Sequence, residues 1–419
     1  MTAGATTFEA STADVLPAGF LAGIVGFFFC FRVLIVLLGV RVFGADARVV
    51  TALGLGLNYT LLGVVAFHGS GRTPRTLGSI LRSPCYFWIL FFIAFSGCSL
   101  AWSAAYSLTA AMGFWCAMVA DLLMVILMLR TGPIGDMSSG LMKGFVYGAC
   151  CVAVVAWIMP GQKDLRLGDD ELLGPNQIGY ACAFAIFFAR YLMRTNQRRW
   201  KVAAGFLAIT VLRSLSKTTI IALMASEIFL WFGDRSISRK TKLLLLAGAA
   251  LIVALFWGLL SSYLDSYGGG SQAESLTGRV GIWTYILGQA VEQPWIGHGF
   301  HSVWKVIPPF GIDQFEARHA HNEVLQQFYA YGVVGVVTLV GLYGSFFRQV
   351  RRLPTGRLKP LLFALLLFVV VRGLTDTEVF DLSLPLWAIA MFSVLISERQ
   401  DASGFDTQQI HPPPATSSP

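Results

Sequence analysis

Residues 18–40 read AGFLAGIVGFFFCFRVLIVLLGV, an apolar run with a single charge, Arg32. A stretch of about 20 apolar residues crosses the hydrocarbon core of a bilayer when it is helical. A backbone in lipid must satisfy its own hydrogen bonds, which makes helices the natural reading of such a run. The segment before it, MTAGATTFEASTADVLPAG, lacks a basic n-region, and the run exceeds a signal-peptide core. It therefore reads as a retained first span.

Similar blocks follow outward from it. Twelve candidate spans lie at about 18–40, 49–67, 85–103, 106–129, 141–159, 176–193, 201–213, 217–233, 242–262, 323–346, 360–371 and 383–397. The chain has 419 residues, 55% hydrophobic and only 13% charged, about half the charged fraction of soluble domains. The expected fold is all-α: a polytopic membrane helical bundle of about 12 transmembrane helices occupying residues 1–400, with a disordered tail at 401–419. The seven cysteines lie in or beside apolar runs without metal-ligand spacing and read as small core residues, not a disulfide framework.

Charge sets the expected orientation. The loops after spans 2, 4, 6, 8 and 10 are net basic, for example Arg190, Arg194, Arg198, Arg199 and Lys201 after span 6. The loops after spans 5, 9 and 11 are net acidic. Lys and Arg collect on the cytoplasmic side, which predicts cytoplasmic termini. The overall charge of +8 then reflects topology and contact with anionic lipid, not nucleic-acid binding. Residues 263–322 form the one long external loop, expected to contain short helices, and long ordered loops are usually functional.

Several cations break the sorting rule. Arg213 and Lys217 flank SLS between spans 7 and 8; Arg279 lies in the long loop; Arg318 precedes His319 and His321; Arg372 opens RGLTDTEVFD. Cations at the external surface suit an anion such as a lipid phosphate, Arg as a bidentate fork and Lys as a point charge. The competing reading pairs them with Asp376, Glu378, Asp381 or Glu274. His321 stands at the start of span 10, where the helix dipole disfavours imidazolium, so a neutral ring there serves as a general base. A solvated interfacial histidine is the competing reading. Asn322 and Glu323 suit a helix start and could orient the ring or bind hydroxyls. Gly332 and Gly335 would let span 10 pack closely. His298, His301, His319 and His321 share one loop and could bind zinc, although no HExxH or CxxC supports them.

These residues resemble a known family. His321-Asn322, nine residues, then Gly332-Val-Val-Gly335 is similar to the H-N-x9-G-x-x-G motif of the O-antigen ligase and O-antigen polymerase (Wzy-type) superfamily. TGRVGIW with PWIGHGF (277–283 and 294–300) resembles its long external loop, SLSKT (214–218) its S-x-S-R/K-T element, and GPNQIG (174–179) its N-x-x-G span start. The resemblance implies a metal-independent, inverting glycosyltransferase of the GT-C type in the bacterial inner membrane, without a cofactor. It would act at the periplasmic face on a glycan carried by undecaprenyl diphosphate.

By the same resemblance His321 would be the base that deprotonates the acceptor, a glycan or lipid hydroxyl. Arg279 and Lys217 would bind the diphosphate, with Arg213 beside them. Arg318, Asn322, His319 and Arg372 are secondary candidates. Lys217 stands where ligases usually have arginine, which tilts the reading towards a polymerase of O-antigen or exopolysaccharide repeats, with a chain-length regulator as a further partner. A ligase moving finished glycan to lipid A core or to a protein is the alternative. A polysaccharide-related transporter is the alternative from another class, to which twelve spans and the intramembrane Arg32 and Asp121 also conform. No GxxxxGK[ST] is present, so no nucleotide loop is expected.

Overall fold

In the computed structural model the described residues are 17–70, 76–159, 166–169, 172–193, 197–233, 238–244, 247, 276–304, 306–307, 318–377 and 382–410, with side chains left aside at 276–278 and 401–410. Among them the chain is helical, without a strand. The helices are α1 (Ala18–Arg41), α2 (Ala47–Ser70), α3 (Leu77–Leu81), α4 (Pro84–Ser99), α5 (Leu108–Arg130), α6 (Ile134–Ile158), α7 (Pro175–Leu192), α8 (Gln197–Ser214), α9 (Lys217–Gly233), α10 (Leu276–Ala290), α11 (Glu323–Arg351), α12 (Leu358–Gly373) and α13 (Ser383–Ile410).

Helices stand at eleven of the expected spans; the ninth, 242–262, lies mostly outside the described residues, as does much of the loop 263–322. Five helices, α1, α2, α5, α6 and α11, are long and apolar enough to cross a membrane. The chain is a polytopic membrane helical bundle. Helix α13 runs on to Ile410, into the segment read from sequence as an unstructured tail; residues 411–419 lie outside the described residues.

Lipid tails are as apolar as leucine, so helices in a bilayer associate through close packing more than through hydrophobic burial. The α1–α6 contact shows this directly. A Cβ on Gly144 would run into the Gly23 carbonyl oxygen, and one on Gly26 into the Leu141 carbonyl oxygen. The small residues let the two backbones touch. Deeper in the bundle Phe29 stacks on Trp387 with ring centroids 5.0 Å apart, and Phe145 and Phe188 close the cluster. Arg32 pairs with the buried Asp121 of α5 at 2.6 Å. These two intramembrane charges tie helix to helix, which accounts for their presence without a transport path.

Contacts among helix termini mark two ends of the bundle. At one, Gln349 donates to Ser83 Oγ (3.1 Å), the Ser393 carbonyl (2.8 Å) and Ser397 Oγ (3.0 Å), knitting the starts and ends of α4, α11 and α13 together. At the other end α1 finishes and α7, α9 and α11 begin. There Arg41 grips Asp169 through two hydrogen bonds of 2.8 and 3.1 Å. Every candidate site residue lies at this second end.

Candidate active site

Helix α11 is where the site is built. Its N-cap is Asn322, whose Oδ1 accepts from Leu325 N at 3.0 Å, and whose Nδ2 donates to the Leu374 carbonyl at 2.9 Å. Asn322 thus caps one helix and ties it to the end of α12. Glu323 is occupied as well: it accepts from the Tyr343 hydroxyl at 3.0 Å and packs against Gly373. Both polar residues make structural contacts at this helix start.

Just before the cap, His321 adopts a left-handed backbone, φ +50°, uncommon for a residue with a Cβ. Trp283 of α10 donates to its carbonyl at 3.3 Å, and its own N–H meets His319 Nδ1 at 3.3 Å. The bend turns the ring inward. His321 Nδ1 lies 3.3 Å from Asp376 Oδ1, and Asp376 Oδ2 accepts from Arg372 Nη2 at 3.0 Å. The Arg372 guanidinium lies over the Tyr180 ring, 3.6 Å from its centroid. Arg279 of α10 donates to the Thr375 carbonyl, one residue from Asp376. An imidazole, a carboxylate and two guanidinium groups from three separate stretches of chain thus meet at one end of the bundle.

The electrostatics follow from this packing. Burial alone would raise the Asp376 carboxyl. The Arg372 guanidinium, the hydrogen bond from His321 and the neighbouring imidazoles outweigh it and hold the group well below the usual carboxylate range. Asp376 is therefore ionised and faces His321 Nδ1 as a hydrogen-bond acceptor; a neutral ring that donates from Nδ1 carries its lone pair on Nε2. That atom is buried and has no partner among the described residues. His319 is pushed down to about 3, first by burial and then by His321, Arg372 and Arg279, against the pull of Asp376.

Among the described residues, His319, His321 and Asp376 form the one group whose ligand atoms, within 4.8 Å of one another, could hold a metal ion. The four-histidine arrangement does not form. His298 stacks on Tyr329 at 4.3 Å and His301 on Phe114 at 5.2 Å. Two guanidinium groups beside the three-residue group make it a better host for an anion than for a cation.

The second motif, Gly332, is a helix break rather than a smooth packing face. Its φ of +63° and ψ of −153° interrupt α11. The strap 294–300 lies across the break. Val333 N donates to the Pro294 carbonyl at 2.7 Å, His298 N to the Tyr329 carbonyl at 2.9 Å and Gly299 N to the Ala330 carbonyl at 2.7 Å. A Cβ on Gly332 would collide with the Trp295 backbone. The strap hangs from α10, so the break in α11 anchors the element that carries Arg279. Gly335 does not face another helix: a Cβ there would stand 2.5 Å from the Gln327 carbonyl oxygen of α11 itself, so this glycine lets the helix fold close on its own preceding turns across the break.

The other candidates lie nearby. Gly179 in α7 packs against Ser214, Ser216 and Thr219, so GPNQIG and SLSKT are in contact. Its neighbour Tyr180 is the ring beneath Arg372. Lys217 is exposed at the start of α9 and Arg213 half-buried in the last turn of α8, on the two helix ends that pack against the first turns of α7. Arg318 is exposed beside His319.

Two residues were missed in the sequence. Asp376 appears there only as one of several ion-pair partners, although its spacing of four from Arg372 was a usable signal. Arg166 is buried, with Nη2 3.5 Å from Asn176 Oδ1, the same oxygen that accepts from Ser216 at 2.8 Å. It stands in GQKDLRLGDD, one more cation on the expected external side.

Residues 202–340 match the family model described as O-antigen ligase, a segment that takes in SLSKT, Arg279, the strap and His321. The resemblance to the O-antigen ligase and polymerase superfamily holds. The exopolysaccharide production protein ExoQ of Rhizobium meliloti is 25% identical over 326 residues, 70% of this chain and 73% of ExoQ. An O-antigen ligase of Pseudomonas aeruginosa is 25% identical over 324 residues, 74% of this chain and 68% of that ligase. Both similarities extend well beyond the matched segment, across the membrane bundle that positions the site. The superfamily is one of membrane proteins that process glycans.

Proposed function

We propose that the protein is a membrane glycosyltransferase that joins glycan repeat units carried on undecaprenyl diphosphate, and that it does so at the periplasmic face without a metal ion. The observation that carries this reading is the His321–Asp376–Arg372 chain with Arg279 beside it. Asp376 holds the imidazole in the tautomer that leaves Nε2 free to take a proton. Nε2 deprotonates the acceptor hydroxyl as the oxygen attacks the anomeric carbon of the donor. The bond from that carbon to the diphosphate breaks, and the glycan passes to the acceptor with inversion. Cations hold the leaving diphosphate, whose charge grows as the bond lengthens; Arg279, Lys217 and Arg213 are assigned this role, with Arg166 added from its burial beside Ser216. Nε2 is covered in this conformation, so the acceptor enters only after the covering residues move aside.

Polymerisation is preferred because Lys217 supplies charge without the bidentate fork, and because the similarity to an exopolysaccharide production protein spans most of the chain. Ligation to lipid A core or to a protein is the second reading, favoured by the family description and by the Pseudomonas aeruginosa relative. Deletion of the gene followed by analysis of lipid-linked glycans separates them. Single lipid-linked units accumulate when a polymerase is lost, and long lipid-linked chains when a ligase is lost. Normal lipid-linked glycans in the deletion strain would overturn both.

A further inference from the structure

A second group of side chains rests on the same small core as the proposed base and is not used by the chemistry above. His301 of the strap stacks on Phe114 of α5, ring centroids 5.2 Å apart at 22°. Trp304 meets His301 edge-on at 5.7 Å, and Tyr106, just before α5, meets Trp304 at 5.9 Å. Tyr106 is 67% exposed. The group is held in place from below. Ser103 donates to the Phe300 carbonyl at 2.6 Å, and Phe300 N donates to Ser99 Oγ at 2.9 Å, so the strap is fastened to the end of α4 on one side and to α11 on the other.

The location matters as much as the composition. Val303 lies between His301 and Trp304, and Ala320 lies between His319 and His321. Val303 and Ala320 are both buried in one small core with Ile282, Ile286 and Tyr329. The aromatic group and the base therefore rest on a shared support. His301 Nδ1 is buried without a hydrogen-bond partner on any other described residue, which an apolar membrane anchor would not need.

We infer that Tyr106, Trp304 and His301 form a carbohydrate-binding subsite that holds a sugar of the acceptor glycan next to His321. A pyranose has an apolar C–H face and a polar hydroxyl rim. Aromatic rings present an electron-rich face to the first and, in Tyr and Trp, a polar edge to the second. Both side chains lose little freedom on binding because two torsions define them. The fastened strap presents them ready-placed, which lowers the cost of association. Burial pushes the His301 imidazole down, so it stays neutral and does not repel the cations of the diphosphate site. The inference rests on the glycan-transfer reading for the class of ligand.

The test uses full-length protein in nanodiscs and the free oligosaccharide released by mild acid from the lipid carriers of a deletion strain. Isothermal titration is expected to show binding to wild type, weakened by roughly tenfold in Tyr106→Leu/Trp304→Leu, from the worth of two aromatic contacts. Trp304→Phe keeps a ring and is expected to retain most of the affinity. In turnover assays the double variant raises KM for acceptor by a similar factor and leaves KM for donor unchanged. His321→Ala is expected to bind the oligosaccharide like wild type and turn nothing over.

Wild-type binding by the double variant, or no binding by wild type, overturns the subsite. An aromatic lipid anchor would give a third pattern, less membrane-inserted protein with sugar binding intact, and would overturn it too. No glycan transfer by wild type sinks the transfer reading alone, while loss of binding in the double variant still stands; full turnover by His321→Ala sinks only the assignment of the base.

Discussion

Replacing Gly332 by alanine should unfasten the strap. The residue sits at φ +63°, ψ −153°, a region that residues with a Cβ avoid at a cost of about 1–3 kcal/mol. The new Cβ would also meet the Trp295 backbone, so relief requires the strap to lift. Lifting it loses the three backbone hydrogen bonds at 2.7, 2.9 and 2.7 Å, each worth about 1 kcal/mol net. Those bonds oppose the lift, so the opening equilibrium shifts only by the strain placed on the seated state, on the order of 2 kcal/mol or about thirtyfold. Hydrogen exchange read by mass spectrometry over residues 294–300 should show that loss of protection, and turnover should fall with it because α10 and Arg279 hang from the strap. Gly344→Ala, in the same helix with nothing within 4 Å of the added Cβ, is the control and should leave exchange unchanged. Wild-type protection in Gly332→Ala would refute the claim that this break anchors the external loop.

Other outcomes follow from the same geometry. His321→Ala should abolish product while the protein stays in the membrane, and Asp376→Asn should lower kcat by about 10²–10⁴-fold, the usual worth of a positioned base, in a single-turnover assay. Arg279→Ala should raise KM for the lipid-linked donor more than for the acceptor, measured with each substrate varied in turn. Gly144→Val should lower the yield of folded protein in detergent, because the Gly23 backbone leaves no room for the side chain. His319 titrates at about 3 in the folded protein against about 6.5 unfolded, so the stability it contributes is complete above pH 6.5 and declines as pH falls towards 3. The slope is at most about 1.4 kcal/mol per pH unit, and about half that for a half-buried ring; thermal midpoints of His319→Gln should lack it.

The bundle was legible because its signal is local. Apolar runs such as 18–40 and 217–233 lie within a residue of α1 and α9, and no tertiary contact is needed to recognise them. The place of His321 was legible for a similar reason: it sits beside a helix start, and helix starts have their own chemistry. The rest depended on contacts between distant segments. Gly332 reads as one more small residue in a membrane helix, and only the strap docked on it, over thirty residues upstream at Pro294, makes a positive φ necessary. Asp376 reads as one acid among three in RGLTDTEVFD, and only α11 lying against the end of α12 selects it for His321. Asn322 and Glu323 looked like ligands because polar residues at a membrane surface have two uses, and sequence does not distinguish capping from binding. The histidine-rich loop misled in the same way, since HGFH and HAH lie close in sequence but face different aromatic neighbours.

The spacing between His321 and Gly332 then acquires a physical meaning. The nine helical residues 323–331 rise about 14 Å in about two and a half turns, so both ends of this segment project from fixed positions on α11. At one end the left-handed bend of His321 delivers the imidazole to Asp376. At the other, the left-handed break of Gly332 receives the strap that carries α10. Between them Tyr329 packs against Ile282 and Ile286 of α10, so the helix bearing Arg279 is clamped along the length of the segment that bears the base. The intervening residues act as a ruler. They set the distance between His321 and the helix that bears Arg279, and the proposed base and diphosphate ligand require such a fixed separation although nothing covalent joins them nearby.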